Sequence, residues 1–236
     1  MSERRITLWR VDAANTPDSA VNRFEGMLGE EELQRLAALA GTQARRFTIF
    51  RGALRVVLGR RCGCEPSSLR FDYGPRGKPR LASPVCEARF NLSHSGDHAI
   101  VAICVDAEIG VDIEAIDEHV EHLAVSRQVF SRNEQLELEA MPIALRARAF
   151  YDGWTRREAV LKALGSGIAR PVESFDVPLA GNARLTRVEM RDGADAGSAM
   201  TLIPLYLGDD LAGALALADP CDDFDLEMRE FRAESP

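Results

Sequence analysis

The stretch Phe150–Pro171, FYDGWTRREAVLKALGSGIARP, is the one from which the rest of the chain is read. From Phe150 to Leu164 its composition is helical and free of proline; Gly165 then supplies a stop, and Pro171 closes the following loop. At 3.6 residues per turn, Trp154, Glu158 and Lys162 fall at i, i+4 and i+8 and form one stripe. Ala159, Val160, Ala163 and Leu164 are small or apolar and suit packing on the other side. Pro142 suits the first position of this long helix, which then has faces toward both halves of the chain. Taken alone, the stripe is either a site or an ordinary Glu–Lys helix pair worth about 0.2–0.5 kcal/mol. Spacing does not separate the two.

A chain of 236 residues holds one large domain or two small ones, and 46% apolar residues is ordinary for a globular enzyme. The net charge of −8 argues against nonspecific nucleic-acid binding but leaves room for a local basic pocket. Of 29 basic residues only Lys78 and Lys162 are lysines, so both are suspects where a compact ammonium is needed. The cysteines, Cys62, Cys64, Cys86, Cys104 and Cys221, are odd in number, and Cys62-x-Cys64 has no matching second pair. Free thiols in a reducing cytoplasm are expected. Met1–Arg10 is too polar for a leader, and no apolar run approaches the ~20 residues of a membrane span.

Along the chain, Arg5–Val11 reads as a strand, Glu30–Ala40 as a helix stopped by Gly41, and Gln43–Arg60 as a longer helix. One face of the longer helix carries Arg45, Arg46, Arg51 and Arg55, which read as a solvated surface. Leu69–Tyr73 is a short strand, and Gly74–Pro79, GPRGKP, a loop able to present backbone groups to a planar ligand. Arg89–Leu92 and Ala99–Val105 pair around the connection Ser93–His98, and Ile109–Ile113 is another strand. Helices are expected over His119–Phe130 and Arg132–Ala140, the second opened by a Ser131/Glu134 capping box. Runs near Ser174–Val177, Leu185–Arg191, Met200–Leu207 and Ala212–Ala218 suggest an antiparallel meander, followed by a fraying acidic tail.

In Gly110–Glu114, GVDIE, strand alternation puts Asp112 and Glu114 on one face and Val111 and Ile113 on the other. Side-by-side carboxylates call for a cation or for solvent, and Glu158 would complete an oxygen-rich site for Mg²⁺ beside a phosphate. Ser93-His94-Ser95 makes a poor nucleophile–base pair, since adjacent strand residues diverge, but a sensible set of phosphate donors. Zinc on His94 and His98, or on His119 and His122, finds no cysteines at matching spacing.

Four motifs in order carry a resemblance: GKP at Gly77–Pro79, FNLSHS at Phe90–Ser95, GVDIE at Gly110–Glu114 and WTRREAVLKALGSGI at Trp154–Ile168. The chain from Arg46 to about Val177 resembles the large, surfactin-synthetase-type 4′-phosphopantetheinyl transferases. The resemblance implies an α+β fold of two similar subdomains related by a pseudo-twofold, each an antiparallel sheet packed with helices, with coenzyme A in the cleft between them. The boundaries it suggests are 1–106, 107–220 with the metal site at the interface, and an acidic tail over 221–236. It implies transfer of the 4′-phosphopantetheine arm of coenzyme A to a serine of an apo acyl- or peptidyl-carrier protein, with Mg²⁺ required and adenosine 3′,5′-bisphosphate leaving. Asp112, Glu114 and Glu158 are the implied Mg²⁺ ligands, and Lys162, His94 and Ser93 the phosphate contacts. Arg51 is implied at the 3′-phosphate with Arg46 as neighbour, and Gly77, Lys78 and Pro79 beside the adenine. A monomer is expected, with no nucleic-acid or membrane partner.

The family commonly has Trp-x-x-Lys-Glu where this chain has Arg157, which serves if only positive charge is needed and fails if a mobile proton is. Glu158, directly or through a water, is the candidate base for the acceptor serine. The competing readings are a coenzyme A-binding regulator without turnover, a scaffold with surface polar motifs, and another Mg²⁺-dependent phosphotransferase lacking any P-loop or kinase signature.

Overall fold

Alternation of Ile6 and Leu8, both fully buried, with more exposed neighbours makes the first strand, β1 (Arg4–Asp12), in the computed structural model, which describes residues 4–165, 170–181 and 184–233. Helices α1 (Asp18–Glu25) and α2 (Glu30–Ala37) lead into α3 (Gly41–Cys62). Gly41, expected to stop α2, instead opens α3 with φ +54°, while Gly63 at φ 66° ends α3 in the left-handed conformation. Strands β2 (Arg70–Tyr73) and β3 (Pro79–Ser83) form a hairpin of their own. Beyond it, β4 (Arg89–Ser95) and β5 (His98–Cys104) pair antiparallel down to Ser95 opposite His98. Ser93 and His94 therefore lie within a strand rather than in the connection expected from sequence.

The described chain then forms a second compact unit from Ala107 to Phe224, the first comprising residues up to Asp106 together with those from Asp225 onward. In the second unit β6 (Ile109–Ala115) is followed by α4 (His122–Val129), α5 (Arg132–Ala140), α6 (Ile143–Leu164), β7 (Thr186–Glu189), β8 (Ala199–Pro204) and β9 (Leu211–Leu217). Its sheet runs β6-β9-β8-β7. Ala159, Val160 and Ala163 of α6 pack onto this sheet against Met200, Leu202, Ala214 and Ala216, as their small and apolar character suggested. Each fully buried large side chain in such a core contributes about 1.5–3 kcal/mol.

Four expectations are corrected. Much of the acidic tail expected to fray is a strand: Phe224–Glu230 forms β10, which pairs beside β1 in the order β10-β1-β5-β4, with Phe224 buried. Ser174–Val177 is no strand, because the chain takes a tight 3₁₀ turn at Val172–Ser174 after Pro171. The arginine face of α3 is not uniformly solvated, since Arg51 and Arg55 are buried around Glu32. Nor are all five cysteines thiols: Cys62 and Cys86 are bonded, their Cα atoms 5.7 Å apart. Spacing in sequence could not show that the end of α3 returns beside the start of β4. Ser166, Gly167 and Ile168, the end of the fourth motif, lie outside the described residues. No helix among the described residues is long and apolar enough to cross a membrane.

Candidate functional site

Gly110, Asp112 and Glu114 share one face of β6, and Gly110 is what lets α6 lie low over that face. A Cβ at position 110 would fall inside contact distance of the α6 backbone at Ala159, Lys162 and Ala163. Backbone cannot swing aside as a side chain can, so the close approach depends on glycine. The cross-strand partners on β9, Ala216 opposite Gly110 and Ala214 opposite Asp112, are small for the same reason. This packing brings the second turn from the end of α6 onto the two strand carboxylates.

There Lys162 Nζ donates to Asp112 Oδ1 at 2.6 Å. Asp112 is buried, while Glu114, Glu158 and Lys162 are half-buried. Burial, and then the charge of Asp112, push the Glu158 carboxyl above the usual glutamate range; Lys162 opposes this, Glu114 reinforces it and Arg157 opposes it. Tyr151, seven residues before Glu158 and so on the same face, was not singled out from sequence. Burial and the charges of Asp117 and Glu114 push its phenol up, against a hydrogen bond with the Asp117 backbone. The signal that could have found it is its helical register with Glu158 and Lys162.

Among the described residues no three His, Cys, Asp or Glu side chains close into a preformed metal cage. The donor chemistry nevertheless fits Mg²⁺, which dehydrates reluctantly and is ordinarily held by one or two carboxylates together with substrate phosphates. Asp112, Glu114 and Glu158 offer only oxygens, and the mutual repulsion felt at Glu158 is what a cation relieves.

Trp154, the third member of the stripe, and Arg157 beside it go elsewhere. Trp154 packs with Phe130, Leu138, Phe150 and Leu179, its ring 6.4 Å from that of Phe150. Arg157 is buried, with Nη1 donating to both Glu134 oxygens at 2.8 Å and to the Phe175 carbonyl at 3.1 Å. Its Nη2 donates to the Val172 carbonyl at 2.6 Å, and the guanidinium lies 4.4 Å from the Phe175 ring centre. Glu134 also accepts the Ser131 and Val177 N–H groups at 2.8 Å, so the capping box read from sequence is one corner of a larger buried network. The arginine in the lysine's place therefore ties α5 and the Val172–Phe175 segment to α6. It is a fixed guanidinium fork, not a mobile proton donor.

In the first unit, Ser93 is buried opposite Ile100, whereas His94 is exposed and stacks on Phe50 with ring centres 5.3 Å apart. Successive strand residues face opposite ways, so this pair does not form one cluster. Arg46 is half-exposed and holds Asp97 through two bonds, Nε to Oδ1 at 2.7 Å and Nη2 to Oδ2 at 2.9 Å. Hydrogen bonding from Arg46 keeps the Asp97 carboxyl below the usual range. Arg51 is held by Glu32 through Nε and lies over the Phe71 ring at 5.2 Å, while its Nη2 is buried without a hydrogen-bond partner among the described residues. Gly77, at φ 80°, and Lys78 form the hairpin turn, where Gly74 N–H donates to the Lys78 carbonyl at 2.9 Å. Pro79 opens β3 opposite Tyr73. The three carboxylates and Lys162 thus converge within the second unit; in the first, His94 stacks on Phe50, one turn along α3 from Arg46.

Comparison with known proteins gives this arrangement a context. Residues 108–215, which include β6 and α6, match a family model described as the 4′-phosphopantetheinyl transferase superfamily. The 4′-phosphopantetheinyl transferase HetI of Nostoc is 33% identical over 216 residues, 90% of this chain and 87% of that protein. The protein slr0495 of Synechocystis is 35% identical over 148 residues, 62% of this chain and 60% of that one. A 4′-phosphopantetheinyl transferase of Bacillus subtilis is 28% identical over 181 residues, covering 75% and 76%. The chain belongs to the 4′-phosphopantetheinyl transferase superfamily.

Proposed function

We propose that this chain transfers the 4′-phosphopantetheine group of coenzyme A to a serine of an apo carrier protein, with adenosine 3′,5′-bisphosphate leaving. The observation that carries the reading is the convergence of Asp112, Glu114, Glu158 and Lys162 where α6 crosses β6. Relatives named as transferases, together with this intact set, favour turnover over a coenzyme A-binding regulator.

Asp112, Glu114 and Glu158 would hold Mg²⁺, which when bound supplies charge neutralisation at the pyrophosphate linkage. Lys162, steered by Asp112, places an ammonium where negative charge builds on the departing phosphate. Glu158 is the base for the serine hydroxyl. It acts directly or through a water, a carboxylate beside the metal being within reach of the serine proton. In the first unit we assign Arg46, Lys78 and His94 to coenzyme A, with Gly77 and Pro79 shaping the turn beside it. Ser93 is kept as a phosphate donor of second rank, and Arg51, held by Glu32 through Nε with its Nη2 left without a partner among the described residues, stays the candidate for the 3′-phosphate. The ordered motifs running through both units support membership of the surfactin-synthetase-type branch, with two similar subdomains in one chain. We read the protein as a cytoplasmic monomer that acts on acyl- or peptidyl-carrier proteins.

Intact-mass spectrometry of an apo acyl-carrier and an apo peptidyl-carrier protein, each incubated with this protein and coenzyme A, tests the reading. With Mg²⁺, one phosphopantetheine group is gained on at least one carrier, and a chelator abolishes the gain. Tight coenzyme A binding with no gain on either carrier would return the regulator reading to first place.

A further inference from the structure

The β2–β3 hairpin lies inside a loop that the chain closes covalently. Cys62, the last residue of α3, and Cys86, just ahead of β4, are bonded across a sequence separation of 24. Between them lie the 3₁₀ turn at Pro66–Ser68, β2, the Gly74–Lys78 turn and β3. The hairpin is a separate two-stranded sheet and takes no support from the ladder of the β10-β1-β5-β4 sheet. Beyond the disulfide, it is anchored through Phe71 and Leu81, half-buried against Leu54, Leu58 and Phe90. Two-stranded hairpins are marginal in water, so a covalent tie at the base has leverage. Both cysteines are half-buried, leaving them within reach of a small reactant.

We propose that Cys62 and Cys86 form a reversible thiol-modification site whose reactants are low-molecular-weight thiols and their disulfides, and whose oxidised state pins the β2–β3 hairpin. In reduction, the thiolate of a small thiol attacks one of the two sulfurs and the Cys62–Cys86 bond breaks. The displaced cysteine leaves as a thiolate and takes a proton. A second small thiol then resolves the mixed disulfide, giving two cysteine thiols and one small-molecule disulfide. Two electrons pass to the protein; a glutathione-type disulfide reverses every step. Opening the tie frees the segment from Gly63 to Val85 from a closed loop and so raises its conformational freedom. Because the turn of this hairpin carries Lys78, the site regulates coenzyme A affinity, a consequence that rests on the assignment of Lys78 above.

The test uses the full chain in two states, one equilibrated with oxidised glutathione and one reduced with excess dithiol that is then removed. Alkylation in denaturant, read by mass, should count three thiols in the first state, Cys64, Cys104 and Cys221, and five in the second. Trypsin should cut after Arg76, in the hairpin turn, several-fold faster in the reduced state. The Cys62→Ser/Cys86→Ser variant should be cut at that faster rate in both conditions. Five thiols in both states, or equal cleavage rates, would overturn the proposal. Calorimetry should show coenzyme A binding several-fold weaker after reduction. If oxidised Lys78→Ala bound coenzyme A as tightly as the parent, the assignment of Lys78 would fail, while the cleavage rates would still decide the thiol site.

Discussion

Helices α3 and α6 are each 22 residues long and each end on a left-handed glycine, Gly63 and Gly165, both at φ 66°. Each lies on a four-stranded sheet and buries arginine against a glutamate of the helix before it. On α3, Arg51 and Arg55 meet Glu32 of α2; on α6, Arg157 meets Glu134 of α5. Both glutamates also cap their own helix, Glu32 accepting the Gly29 N–H at 2.9 Å and Glu134 the Ser131 N–H at 2.8 Å. The strand faces beneath differ. Under α6, β6 presents Gly110, Asp112 and Glu114; toward α3, β4 and β5 present apolar groups such as Phe90, Val101 and Ile103. A long helix on a four-stranded sheet, pinned by a glutamate of the preceding helix, therefore occurs in both units, and in the second the crossing carries carboxylates and a lysine. Buried ion pairs contribute little net stability but are costly to break, which suits them to fixing helix placement rather than chemistry.

The comparison can be broken most forcefully at the shared element. Glu134→Ala strands Arg157 in the core and should cost about 3–5 kcal/mol, lowering the melting temperature by on the order of 10 °C. Glu32→Ala, which strands two arginines, should do at least as much by calorimetry. If either variant melted like the parent, its network would not be structural.

Gly110→Ala acts on the difference between the two copies. A methyl group against the α6 backbone should cost about 3 kcal/mol. It should also reduce transfer in the protein that remains folded, by lifting Glu158 and Lys162 from β6. Parent-like activity would mean that the close crossing is not needed. A smaller change is expected for Arg157→Lys, which keeps the charge but loses the fork to Glu134 and the stacking on Phe175. Urea unfolding should show a loss of about 2 kcal/mol, with kcat retained. A collapse of kcat at unchanged stability would instead place residue 157 in the chemistry.

The smallest effect is a pH dependence. Burial raises the Asp176 carboxyl, but hydrogen bonds from Ser131, Asn133 and Arg191 outweigh it and hold the carboxyl below the usual aspartate range in the folded protein. A depressed folded pKa contributes stability above the unfolded pKa and loses it as pH falls through the folded value. Asp176→Asn should therefore lower the melting temperature modestly at neutral pH and flatten its decline below about pH 4. A parallel acid limb in parent and variant would show that Asp176 is not the group titrating.

Much of this was legible in the sequence because it depended on local periodicity. The i, i+4 spacing of Glu158 and Lys162 and the i, i+2 spacing of Asp112 and Glu114 define faces without knowledge of the fold. The assignments that changed depended on partners distant in sequence. Arg51 and Arg55 read as solvated because Glu32 is remote from them, and Arg157 read as a charge beside the site because Glu134 lies 23 residues away. Gly110 was visible only as part of a motif, since its reason is the backbone of another element. The tail read as fraying because its acidic composition hid the alternation that lets Phe224 turn inward as β10 joins β1.

The account's central claim is that chemistry resides at the α6–β6 crossing while the arginine–glutamate networks only hold it there. Its most direct test is Glu158→Gln, measured for transfer at saturating coenzyme A and Mg²⁺ and for thermal unfolding in the same preparation. Neutralising a carboxylate already repelled by Asp112 and Glu114 should leave the melting temperature within a few degrees or raise it. Turnover should fall by about 100-fold or more. Turnover within threefold of the parent would contradict the assignment of Glu158 as the base and remove the chemistry from this crossing.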